Sequence, residues 1–118
     1  MSQYEDITVD QGSDVTVRLE LADYDGGAKD LTGYTANAQV RKTYSSKDSD
    51  AIAFSPDFNV PRSTGILNLS LTNTQTNAMK AGRYVYDVEI QYADSDGANV
   101  VERILEGQIS VSPSVTRV

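Results

Sequence analysis

The chain has 118 residues, 39% of them hydrophobic, and its 17 acidic and 10 basic side chains give a formal charge of −7. That size and apolar content fit one domain with one core, and the acidic balance argues against nucleic acid as a direct partner. Cysteine, histidine and tryptophan are absent, which excludes disulfides, thiol nucleophiles, the imidazole base of serine triads and most zinc chemistry.

The opening MSQYEDITVD has acids where a secretory leader has a basic region and an apolar run. No stretch approaches the roughly 20 apolar residues of a membrane helix. Synthesis in the cytoplasm, with no membrane partner, is expected. After a short first strand, the turn DQGSD (Asp10 to Asp14) leads into a second, where Val15, Val17, Leu19 and Leu21 alternate with polar residues. The turn-rich DYDGGAKD (Asp23 to Asp30) follows. In DLTGYTANAQVRK, Asp30 can cap a turn, Gly33 supplies its positive φ and Leu31 plugs the end of the core. Ala36, Ala38 and Val40 then face inward, their small size permitting close approach of the facing sheet. Arg41 falls on the outer face, expected to be free for an acidic neighbour.

SSKDSD (Ser45 to Asp50) is the next break. Pro56 and Pro61 bracket DFNV, which reads as an irregular or edge segment. Leu67, Leu69 and Leu71 alternate again. TNTQTNAMKAG (Thr72 to Gly82) predicts a short helix over about 73–80, with Thr72 or Asn73 as N-cap and Gly82 closing its end. Two long strands follow. The first carries Tyr84, Tyr86, Val88, Ile90 and Tyr92 on one face, and ADSDGAN (Ala93 to Asn99) turns a hairpin. The last is expected to face Val101, Leu105, Ile109 and Val111 inward.

About seven strands with regular turn signals and one short helix predict an all-β, antiparallel sandwich of Greek-key type. We read residues 1–118 as a single domain with flexible ends at about 1–5 and 113–118. AGRYVYD adds an immunoglobulin-like signature. Tyr84 stands where such sandwiches place a corner tyrosine bonded back to the preceding turn, and Tyr86 stands at the core position two residues on.

Candidate chemistry is sparse. Asp94, Asp96 and Asn99 resemble the front of a calcium loop, and Asp23, Asp25 and Asp30 form a similar set. Neither has the bidentate glutamate and flanking helices of a full site, so hairpin-turn chemistry is the expected role and no metal or cofactor is predicted. Asp87, Glu89 and Glu106 could be imagined as glycosidase acids, but cross-strand pairing with Arg83, Arg103 or Arg41 accounts for them. No S-x-x-K motif or phosphate loop occurs, and no enzymatic activity is expected. Seven tyrosines remain. Tyr84, Tyr86 and Tyr34 are expected in the core, and Tyr4, Tyr24, Tyr44 and Tyr92 near turns or strand ends. The interface candidates are thus Tyr84, Tyr86, Tyr24, Tyr44, Tyr92 and Arg41, with a merely structural rim as the competing reading.

ITVDQGSD, then DG…KDLTGYTANAQVRK, AGRYVYDVEI and VERILEGQISVSPSVTR, together resemble small virion proteins of tailed bacteriophages, nearest to the N-terminal domains of phage baseplate upper proteins. The resemblance runs from Ile7 to Arg117, and DLTGY followed by VRK is its most specific element. It implies a β-sandwich assembly module without catalytic residues, located in the virion and made in the host cytoplasm. Its partners would be other virion proteins or further copies of itself. Because the chain stops after the sandwich, with no receptor-facing or trimerising extension, a stand-alone subunit docking on tail, baseplate or neck is expected. The alternatives are a decoration protein on the head shell and a host-surface-binding module using the Asp23–Asp30 and Asp94–Asn99 loops.

Overall fold

A computed structural model of the chain describes residues 3–23, 26–47 and 51–115. Among the described residues, nine strands form two facing sheets: β1 (Gln3–Tyr4), β2 (Ile7–Asp10), β3 (Val15–Glu20), β4 (Thr35–Arg41), β5 (Ile52–Ala53), β6 (Ser55–Phe58), β7 (Ile66–Leu71), β8 (Gly82–Ala93) and β9 (Asn99–Ser112). The larger sheet runs β1–β9–β8–β4–β5, with β2 also on β9, and the smaller runs β3–β7–β6. Seven of the nine strands have four or more residues, as the turn spacing predicts.

The core lies between the sheets. Ala36, Ala38, Val40, Tyr86, Val88, Ile90, Leu105 and Ile109 face Leu67, Leu69 and Leu71, all buried. Leu31 is fully buried, as expected of a plug. Its turn is held by Asp30, whose Oδ1 accepts from the Thr32 amide at 3.0 Å and the Thr32 hydroxyl at 2.6 Å; these two bonds hold the Asp30 carboxyl below its ordinary pKa. Gly33 has φ +82°. At Phe54, whose amide donates to the Ala38 carbonyl at 2.9 Å, the chain steps from the larger sheet to the smaller. β6, with Pro56, is an edge strand beside β7.

Four expectations need correction. First, the pairing is mixed, because β1 and β2 run parallel to β9, Gln3 beside Leu105 and Ile7 beside Ile109. Strands so distant in sequence have no hairpin to force an antiparallel arrangement. Residues 3–5 are consequently engaged rather than loose, since Glu5 N–H donates to the Glu106 carbonyl at 2.9 Å.

Second, the helix α1 (Asn73–Asn77) is shorter than expected. Thr72 caps it through a reciprocal box with Gln75, and it ends at Ala78. Gly82, at φ +135°, opens β8 instead of closing the helix. The buried Thr76 hydroxyl binds α1 to the β2–β3 turn, donating to the Ser13 carbonyl at 2.8 Å and accepting from the Gly12 amide at 3.1 Å.

Third, Val101 faces outward. The β8–β9 register pairs Val88 with Leu105 but Glu89 with Arg103, leaving Ile104 as an extra residue. That bulge reverses the side-chain parity of everything before it. Val101 is accordingly 50% exposed, whereas Leu105, Ile109 and Val111 keep their inward places. The fourth correction, at Arg41, belongs with the outer surface.

Candidate interaction surface

The tyrosines divide into ties and exposed groups. Tyr84 is the corner residue: its hydroxyl donates to the Lys80 carbonyl at 2.8 Å, and the Lys42 ammonium lies 4.6 Å from its ring centroid. Tyr86 is buried edge-on to Phe54, with ring centroids 6.5 Å apart. Its hydroxyl donates to the Glu5 carbonyl at 2.8 Å, binding the first strand to the core. Burial, then the charges of Glu5 and Asp6, push the Tyr86 phenol up to about 12.

Glu5 reaches that hydroxyl because Gly107 lies beneath it. A Cβ on Gly107 would sit 1.8 Å from the Glu5 carbonyl oxygen. A glycine inside a strand marks such a close backbone approach.

Tyr34 and Tyr92 are half-buried and tilt against each other at 5.0 Å, with the Lys29 ammonium 5.5 Å from Tyr34. Tyr24, like Asp25, lies outside the described residues. Tyr44 and Tyr4 remain, 84% and 59% exposed. They flank the outer face of the larger sheet. Tyr4 shares its face with Glu106, its register neighbour on β9, while Tyr44 borders a shallow depression of about 300 Å³ that includes Gln39, Val85, Asp87 and Glu106. The Tyr4 phenol is raised above its usual value, first by lost hydration and then by the charges of Asp6 and Tyr44.

Between them lies a charge network. Arg103 reaches Asp87 across to β8 at 3.4 Å, the cross-strand pairing expected of that acid, and Glu106 along its own strand β9 at 3.7 Å. Glu89 stands opposite Arg103 in the register.

Arg41 is not free for a neighbour. Its guanidinium donates to the Ser46 carbonyl at 2.8 Å and to Gln39 Oε1 at 2.9 Å, fastening the turn that presents Tyr44. A five-donor fork beside a turn of its own chain finds carbonyls locally.

The Asp94–Asn99 hairpin is turn chemistry. Asp94 Oδ1 accepts from the Asp96 and Ala98 amides, each at 2.9 Å, Gly97 has φ +81°, and Asn99 donates to Gln91. Asp94 and Asn99 thus spend their side-chain hydrogen bonds within the hairpin. Sequence reasoning missed the placing of Tyr4 beside Glu106, because it arises from parallel pairing of the first strand with the last.

No family model matches the chain, and no curated protein matches it. Among solved structures, murine CRIg is similar with TM-score 0.53 and 17% identity, over 92% of this chain and 92% of that one. The fold is an immunoglobulin-like β-sandwich. Weaker likenesses are an internalin-like protein of Listeria monocytogenes (TM-score 0.45, 19% identity, over 94% of this chain and 28% of that one) and AggA, the major subunit of aggregative adherence fimbriae type I from Escherichia coli (TM-score 0.41, 12% identity, over 91% and 89%).

Proposed function

We propose that the chain is a non-enzymatic structural subunit of a tailed-phage virion, docking onto tail, baseplate or neck proteins through the outer face of its larger sheet. The observation that carries this reading is the exposed pair Tyr4 and Tyr44 beside the Arg103–Asp87–Glu106 network. Tyrosine brings large apolar area with a polar tip, so it suits a contact surface that must also stay soluble when free. The charges between the rings would fix orientation more than affinity. The kind of assembly comes from the sequence resemblance to phage baseplate upper proteins, with synthesis in the host cytoplasm and no cofactor required.

Mass spectrometry of purified particles tests the assignment: the chain should be present, and its absence refutes a virion role. Copy number then separates locations, small multiples for a tail, baseplate or neck module and hundreds for a head-shell decoration protein. The doubly substituted Tyr4→Ala, Tyr44→Ala chain should fold normally but enter particles at a reduced level. Unchanged incorporation would remove this face as the docking surface.

A further inference from the structure

We infer that the open edge of β3 is a self-pairing surface, on which two copies of the chain join antiparallel with Arg18 of each opposite Glu20 of the other. Among the described residues β3 pairs with β7 on one side only. Leu21 N–H donates to the Gly65 carbonyl at 2.8 Å, the Lys29 amide donates to the Leu21 carbonyl at 2.9 Å, and the Asp23 amide donates to the Gly27 carbonyl at 2.8 Å. Backbone groups alternate sides along an antiparallel strand, so the odd-numbered residues here turn toward β7 and residues 27–29. Thr16, Arg18, Glu20 and Ala22 turn theirs the other way. Among the described residues no strand pairs with them there.

The other sheet ends are shorter. β1 and β5 have two residues each, β2 has four, and β6 has four including Pro56, whereas β3 has six with no proline and no bulge. Val15, Val17 and Leu19 point inward yet are only partly buried, while Leu67, Leu69 and Leu71 opposite them are fully covered. The uncovered side is the open edge. There is room beside it, since a groove of about 660 Å³ separates β3 from the β1–β9 edge, bordered by Gln3, Glu5, Leu19 and Ile104.

The charge pattern selects a second copy as the occupant. Directly opposed residues in an antiparallel pair share a face, so a self-pair must be centred on a residue. Centred on Leu19, the register sets Leu19 against Leu19, Val17 against Leu21, and Arg18 against Glu20 twice. Centring on Arg18 opposes two arginines, and centring on Val17 opposes Asp14 and Glu20. Arg18 and Glu20 already lie 3.1 Å apart on the exposed face, so the favoured register closes the four charges into one cluster.

The pairing belongs to the isolated chain and stands or falls apart from the virion assignment. Sedimentation velocity on purified protein should show a dimer at about 0.1 mM, within the affinity range of small interfaces. Arg18→Glu alone and Glu20→Arg alone each place like charges opposite one another and should weaken association at least about tenfold. Their equimolar mixture restores both opposite-charge pairs and should dimerise within about threefold of the native chain. Circular dichroism melts confirm that each variant is folded. A native chain monomeric at about 1 mM, a single variant associating as well as the native chain, or a mixture that fails to recover would each overturn the proposal.

Discussion

Gly107→Ala is the most informative single change, because the fold predicts its failure mode. The added methyl would lie 1.8 Å from the Glu5 carbonyl oxygen and 2.7 Å from its carbon, both backbone atoms without rotamer freedom. The clash is relieved by shifting β9, which disturbs the inward stack of Leu105 and Ile109, or by lifting the first strand, which breaks the Tyr86–Glu5 bond. Overpacking of this kind costs about 1–3 kcal/mol, and a lost buried hydrogen bond adds about 1 kcal/mol. A total near 3 kcal/mol, at about 4 °C per kcal/mol for a domain of this size, lowers Tm by roughly 12 °C. Thermal melts followed by circular dichroism measure this, and ultraviolet titration reports which route relieves the clash: lifting the strand returns the Tyr86 phenol toward the ordinary tyrosine value. A drop of less than about 4 °C with Tyr86 still titrating near 12 would refute the close-approach argument.

Other expectations follow from the same contacts. Tyr86 should titrate near 12. Its pKa is raised in the folded state, so the associated stability is fully present below the unfolded value near 10 and is lost as pH rises toward 12; urea melts between pH 9 and pH 11.5 should show that loss, and Tyr86→Phe should flatten it. Val101→Asp should change stability by no more than about 0.5 kcal/mol, because the Ile104 bulge turns position 101 to solvent, whereas Ile109→Asp should prevent folding. Thr76→Val removes a buried hydroxyl that serves both Ser13 and Gly12, and should cost about 1–3 kcal/mol in denaturant melts, with faster amide exchange at Gly12.

Local rules carried the reading of the sequence where the structure is local. The alternation of Ala36, Ala38 and Val40, the Asp30–Gly33 turn, the Asp94–Asn99 hairpin and the Tyr84 corner each depend on residues within a few positions, and each has its expected form. The misses are non-local. Nothing near Ile7 announces that it will lie beside Ile109, so the parallel pairing and the place of Tyr4 beside Glu106 are hidden. The bulge left one trace, the adjacent apolar pair Ile104 and Leu105 inside an alternating run, and Gly107 left another, a glycine in mid-strand. Arg41 departs from expectation because strand parity gives a side chain's face but not the loop that curls back to it.

The parallel seam between the first and last strands also decides how the domain carries tension. Gln3 is level with Leu105 and Asp10 with Ser112, so the two outgoing directions of chain leave at opposite ends. A pull between them loads the rungs of β2 and β9 together in shear, instead of opening them one at a time like a zipper. In that direction the seam resists as a unit, a useful property for any part that must hold while its surroundings move.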